Sequence, residues 1–185
     1  MMRFFKGVAA LMVGALLIAC DNNTPLMERV VKGDIKGVEA ELAKGGDIEA
    51  HNNFRWTALT HAARLGDVAM VKLLIEKGAN VNAIDDTSWS PLMRTAMKGH
   101  VEVAKLLLAH GADIHHVDNG QWTALHWAAQ QDDSEMMRVL LDAGADINAQ
   151  TRDGRTPRMV AQSEGHTDLV NLISRWMNNA DGTKP

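Results

Sequence analysis

The sequence predicts an all-α solenoid of about five helix–turn–helix repeats. Three observations carry that expectation. Thr24, Thr57, Ser90, Thr123 and Thr156 recur every 33 residues, and behind each comes Pro25, Ala58, Pro91, Ala124 or Pro157. Leu26, Leu59, Leu92 and Leu125 keep the same beat, with Arg158 in the fifth place. Glycines mark two deeper columns, at Gly33, Gly66, Gly99 and Gly165 and at Gly45, Gly78, Gly111 and Gly144. A fixed period of this size means stacked copies of one supersecondary unit, each too small to bury its apolar face alone.

The chain begins with a different object. Arg3 and Lys6 precede an apolar run from Gly7 to Ala19, the pattern of a secretory signal peptide over residues 1–19. Its end, Leu17-Ile18-Ala19-Cys20, resembles the bacterial lipobox. That resemblance implies cleavage before Cys20, acylation of its thiol and anchoring to a membrane. Cys20 is the only cysteine, so no intramolecular disulfide can form. Asp21 behind it resembles the signal that retains a lipoprotein in the inner membrane. Asp21, Asn22 and Asn23 make a spacer spanning at most about 10 Å before the first helix cap.

Within one unit the elements follow in order. A Thr or Ser hydroxyl caps the first helix and Pro opens it at three of five copies. Leu125, Ala128 and Ala129 illustrate its small, close-packing face. Gly99 ends such a helix in the left-handed region, and Asp132 takes that place in the fourth repeat at modest cost. A second helix follows, with Val101, Ala104, Leu107 and Leu108 expected on its buried face. Gly111 stops it, and an extended turn from Ala112 to Gln121 leads to the next unit. The repeats are expected over residues 24–177, with a polar tail at 178–185.

The run Trp122-Thr123-Ala124-Leu125-His126-Trp127-Ala128-Ala129 resembles the ankyrin signature, as do Val103 to Leu108 with Gly111-Ala112-Asp113, and Gly144 to Ala149. The ankyrin resemblance covers residues 24 to about 176. It implies helix pairs joined by finger loops, a curved stack and a concave binding face. Glu41, Arg158 and Ser174 depart from the Leu pattern at the ends, as polar terminal caps require. The first and last repeats are therefore expected to be caps.

Trp56, Trp89 and Trp122 also keep the period, each just before a capping Thr or Ser. The resemblance sets that column at the base of the finger, flanked by Phe54 and Trp127. The variable first-helix columns add Glu28, His61, Arg94, Trp127 and Val160, then Arg64, Met97 and Gln130. With Arg55 and Gln121 they make a mixed aromatic and cationic strip suited to a partner protein bearing acidic and apolar groups. The same Trp column would also serve as stacking residues between fingers, and both uses can hold.

The formal charge is −4; removal of Arg3 and Lys6 with the leader leaves 17 basic against 23 acidic residues, or −6. An acidic chain without a basic stripe has no electrostatic reason to bind nucleic acid. No nucleophile elbow, phosphate loop or zinc-protease motif occurs, so no enzyme and no cofactor are expected. His110, His115, His116 and Asp118 share one turn, but their spacing matches no closed zinc site. His115, standing where Asn82 and Asn148 stand elsewhere, is expected to hydrogen-bond the turn. Met27, Met70 and Met159 fall in columns that look like core. Small exported ankyrin proteins resemble either immunity proteins against periplasm-acting toxins such as lipases, or periplasmic proteins of oxidative-stress defence. A monomer that binds one protein partner is expected.

Anchoring should depend on Cys20. Cys20→Ser is expected to abolish fatty-acid labelling, and label that persists would refute acylation at this residue. Asp21→Ser should move the protein to the outer-membrane fraction if Asp21 is the sorting signal.

Overall fold

Residues 22–178 are described by the computed structural model. They fold as ten helices: α1 (Pro25–Val31), α2 (Ile35–Ala43), α3 (Ala58–Leu65), α4 (Val68–Glu76), α5 (Pro91–Lys98), α6 (Val101–Ala109), α7 (Ala124–Gln130), α8 (Ser134–Asp142), α9 (Pro157–Ser163) and α10 (Thr167–Asn178). No strand occurs among the described residues. The leader, Cys20, Asp21 and the tail beyond Asn178 lie outside them. No helix among the described residues is long and apolar enough to cross a membrane.

The periodic hydroxyls act as the sequence requires. Thr24, Thr57, Ser90 and Thr156 accept the main-chain N–H three residues on, each at 3.3 Å. At α7 His126 Nδ1 instead accepts the Thr123 main-chain N–H at 3.2 Å. Each cap satisfies a donor that the helix start would otherwise leave open. Gly66 and Gly99 close α3 and α5 at φ 75° and 73°, and Asp132 takes φ 56° in the same column. Gly66 is doubly constrained, because a Cβ there would lie 2.5 Å from the His100 ring.

The second helices start in two ways. Asp34, Asp67 and Asp133 cap α2, α4 and α8, accepting from Gly37, Met70 and Met136 at 2.9–3.0 Å. His100 and His166 hold that column in the third and fifth repeats. Their Nε2 atoms reach back one repeat, to the Arg64 carbonyl at 3.0 Å and the Gln130 carbonyl at 3.1 Å.

Each first helix packs on the next, α1 through α9 in order, and on its own second helix; α4, α6 and α8 also touch in sequence. Leu26, Leu59, Leu92 and Leu125 are buried, as are Met70 and Leu74 on α4 and Met136, Met137 and Leu140 on α8. On α6 the buried residues are Val103, Ala104 and Leu107. Val101 and Leu108, expected beside them, are only half-buried, because the tightest seam faces α5 and the neighbouring second helices rather than the helix ends.

Met27 and Met70 are fully buried, but Met159 is 51% exposed, against expectation. Its column packs forward onto the following repeat, as His126 does in donating to the Arg155 carbonyl at 3.0 Å. Among the described residues nothing follows the fifth repeat. The two polar departures there meet each other: Arg158 Nε donates to Ser174 Oγ at 3.1 Å, and the Ser174 hydroxyl in turn donates to the Val170 carbonyl at 2.7 Å.

Two stability predictions follow from this packing. Leu107→Ala should lower stability by about 2–5 kcal/mol, read as a shift in urea midpoint, because it empties a fully buried site. Burial lowers the His126 pKa, against the opposing hydrogen bond to Arg155. A His whose folded pKa is depressed stabilises fully above its unfolded value of about 6.5 and loses that contribution as pH falls toward the folded value. Urea midpoints should therefore drop as pH falls below about 6.5, and His126→Leu should flatten that part of the profile.

Candidate partner-binding face

A finger turn separates each second helix from the next first helix, and one buried oxygen organises it. Asn52, Asp85 and Asp118 each accept the main-chain N–H groups two and four residues on, at 2.7–3.0 Å. Thr151 accepts only from Arg155, at 3.1 Å. The residue third after each, Arg55, Ser88, Gln121 and Gly154, takes φ between 58° and 74°. Adjacent fingers are tied by main-chain bonds, Asp86 to Phe54, Asn119 to Thr87 and Arg152 to Gly120. The chain entering from the N-terminus joins in, since Asn52 Nδ2 donates to Asn23 Oδ1 at 2.9 Å.

The turn delivers Trp56, Trp89 and Trp122 to one face, immediately before the first-helix caps. Side chains there form a continuous ladder. Phe54 lies 6.5 Å from Trp56 between ring centroids. The guanidinium of Arg94 sits 4.5 Å from the Trp56 ring and 4.4 Å from the Trp89 ring. Trp89 meets Trp127 at 4.3 Å, Trp127 meets Trp122 at 4.6 Å, and Arg155 lies 5.4 Å from Trp122. Arg64 approaches Trp56 at 5.3 Å. The Nε groups of Arg64 and Arg94 and the indole N–H of Trp127 are buried without an acceptor among the described residues, and the two guanidinium groups lie over indole rings.

Arg94 is fixed a second time. It pairs with Asp85, whose side chain is 2% exposed, and that carboxylate also receives the Thr87 hydroxyl at 2.7 Å. Burial alone would push the Asp85 carboxyl up. The hydrogen bonds from Thr87, Trp89 and Arg94 outweigh it and hold the group below the usual carboxylate range. The central cation of the expected strip is thus neutralised within the protein.

Of the residues singled out in the sequence, the ladder brings together Phe54, Trp56, Arg64, Trp89, Arg94, Trp122 and Trp127. Trp89, Trp122 and Trp127 also pack on the core, so the column stacks and borders the surface at once. Arg55 and Gln121 are exposed at the finger turns, and Met97 and Gln130 are half-buried on α5 and α7. His61 departs from the expected strip: it is 3% exposed and meets Trp56 edge-on at 5.1 Å, so it supports the ladder from below. Val160, expected in the same column, is fully buried. In the His-rich turn, His115 joins through its main-chain N–H, donated to Asp113 at 2.9 Å, while His110 and His116 bond the Leu106 and Ser88 carbonyls. Among the described residues no group of three His, Cys, Asp or Glu is placed to hold a metal ion. Sequence reading missed Asp85 and Arg155, although Asn52, Asp85, Asp118 and Thr151 also recur at 33-residue spacing.

Stacked helix pairs joined by fingers define a helical repeat solenoid. The chain matches the family model described as ankyrin repeats (3 copies) over residues 8–118 and 111–184, and it belongs to the ankyrin-repeat family. Among curated proteins none matches it significantly. Ankyrin repeats point to protein–protein interaction.

Asp85→Asn should destabilise the fold by on the order of 3–5 kcal/mol, because it strands a buried guanidinium, whereas Asp86→Asn on the exposed neighbour should shift the urea midpoint little. Asp85 contributes its full stability above the ordinary carboxylate value of about 3.9, and that contribution is lost as pH falls through the lower folded value.

Proposed function

We infer that this is a lipid-anchored ankyrin-repeat protein of the bacterial envelope, facing the periplasm, that binds a partner protein through the finger and first-helix face and thereby inhibits or sequesters it. The observation that carries this reading is the ladder from Phe54 to Arg155, an exposed Phe54 followed by half-buried indoles at one edge of four consecutive repeats. Tryptophan and arginine held rigid at a surface lose little side-chain entropy on binding, which is why they dominate interface energetics.

The specific role we propose is immunity against a toxin acting at the periplasmic side of the membrane, such as a secreted lipase. The reasoning is distance. Asn23 is bonded to the first finger, so an acyl group on Cys20, three residues upstream, would keep that finger within about 10 Å of the bilayer surface. An inhibitor held there meets a phospholipase where it works. Asp21 favours the inner membrane.

Capture from envelope extracts, using the acylated protein in detergent, should retrieve the partner, and a co-purifying hydrolase would support immunity. Trp89→Ala and Trp127→Ala should each weaken that binding by about 2–4 kcal/mol, roughly 30- to 1,000-fold, far more than Lys105→Ala on the opposite side of the repeat. Lys105 is an apt control because its ammonium is occupied by Glu102 and Glu135 on the second helices. A Trp89→Ala protein that melts earlier yet binds at full strength below its melting point would reduce the ladder to packing alone.

A further inference from the structure

Between the first two fingers opens a cavity of about 230 Å³, and its walls do not match its rim. Phe54, Trp56 and the stacked plane of Arg94 supply apolar walls, with Asn52 and Thr87 beside them and Asp85 and Asp86 completing the lining. Phe54 is 50% exposed, a large apolar surface to leave in water. Two carboxylates line the space against one guanidinium. That guanidinium is already paired with Asp85 and held between two indoles, so its charge is spent. Asp86 is exposed and makes no ion pair among the described residues. Its main-chain N–H is bonded to the Phe54 carbonyl at 3.3 Å, which ties the Asp86 backbone to the finger that carries that aromatic wall.

We propose that this cavity receives one basic side chain, arginine in the first place, presented by the partner protein. The proposal rests on the binding reading above and assigns a specific subsite to it. An acidic side chain would meet Asp86 with no free cation among the lining residues to offset the repulsion. A purely apolar side chain would fill the walls but strip water from Asp86 without replacing it. An arginine satisfies both parts. Its methylenes cover Phe54 and Trp56, its guanidinium lies against the open Phe54 ring, and its fork reaches the Asp86 carboxylate. The ladder therefore presents two chemistries: stacked, internally neutralised rings toward its centre, and an acidic, aromatic pocket at its N-terminal end.

The test uses the full acylated protein in detergent and a small probe, so it is independent of the partner's identity. N-acetyl-arginine N-methylamide is titrated while the Trp56 indole and the Asp86 amide are followed by NMR, with the glutamate and leucine analogues as controls. The expected result is a saturable shift at Trp56 and Asp86 in the millimolar range with the arginine probe only. Asp86→Asn should weaken that response at least tenfold while leaving the Trp122 indole and the melting temperature unchanged. No saturable shift, an equal response to the glutamate or leucine probe, or an unchanged response in Asp86→Asn would each overturn the pocket. Partner capture that succeeds while the probe fails removes the pocket and leaves the binding face. Capture that fails while the probe binds removes the binding face and leaves the pocket.

Discussion

A finger turn folded back on itself leaves two main-chain N–H groups pointing inward, away from water. Unless something accepts them, the turn costs more than a short hairpin can return. In this protein the acceptor is a single buried side-chain oxygen at the start of the turn, supplied by Asn52, Asp85 or Asp118. That oxygen forces the third following residue into the left-handed region and the fourth toward the first helices. Since the fourth residue is Trp in three fingers, the surface chemistry of the molecule depends on the same bond. Thr151, with a single hydroxyl, meets only one of the two donors, and Gly154 takes up the positive φ there, where no tryptophan follows.

At Asp85 the turn carboxylate has a second use. One oxygen closes the turn and the other neutralises Arg94, which lies between indoles from consecutive repeats. A carboxylate in the other fingers' role could be an amide at no loss, as Asn52 shows. Here the negative charge is needed, because a guanidinium enclosed by rings would otherwise stay uncompensated. Packing and surface presentation thus share atoms. The rings that knit the second, third and fourth repeats together are the same rings that border the surface, and rigidity at that edge comes from the core behind it.

The repeat architecture was legible because it rests on local rules: a hydroxyl cap, a Leu two residues after it, a residue tolerant of positive φ at the helix end. Each shows as a column at one period. The tryptophan face was legible for the same reason. The departures have a common cause, namely that a column reports what a residue does inside the stack and not which neighbour it meets. Met159 stands in a core column but has no following repeat among the described residues to pack on, and His61 stands in a surface column but is covered by Trp56. The partner of Arg94 lay nine residues upstream, in a column whose period was visible but whose oxygens had no evident task until the turn was seen closed.

The second-helix starts show how such a stack trades one helix end against another. Asp at this column caps its own helix, satisfying an N–H at the start. His100 and His166 forgo that bond, which is worth about 1 kcal/mol, and donate instead to a carbonyl in the last turn of the preceding first helix. Those carbonyls, of Arg64 and Gln130, are among the acceptors a helix end leaves open. The exchange turns a bond within one repeat into a bond between two. For the second repeat the closing ring needs Gly66 beneath it, since any Cβ would intrude on the imidazole. Arg64, whose carbonyl takes this bond, also stacks on Trp56, so the contact that couples the second and third repeats ends on the ladder itself. Coupling between repeats and the geometry of the ladder are consequently set by one residue's two ends, its carbonyl inside the stack and its guanidinium against Trp56.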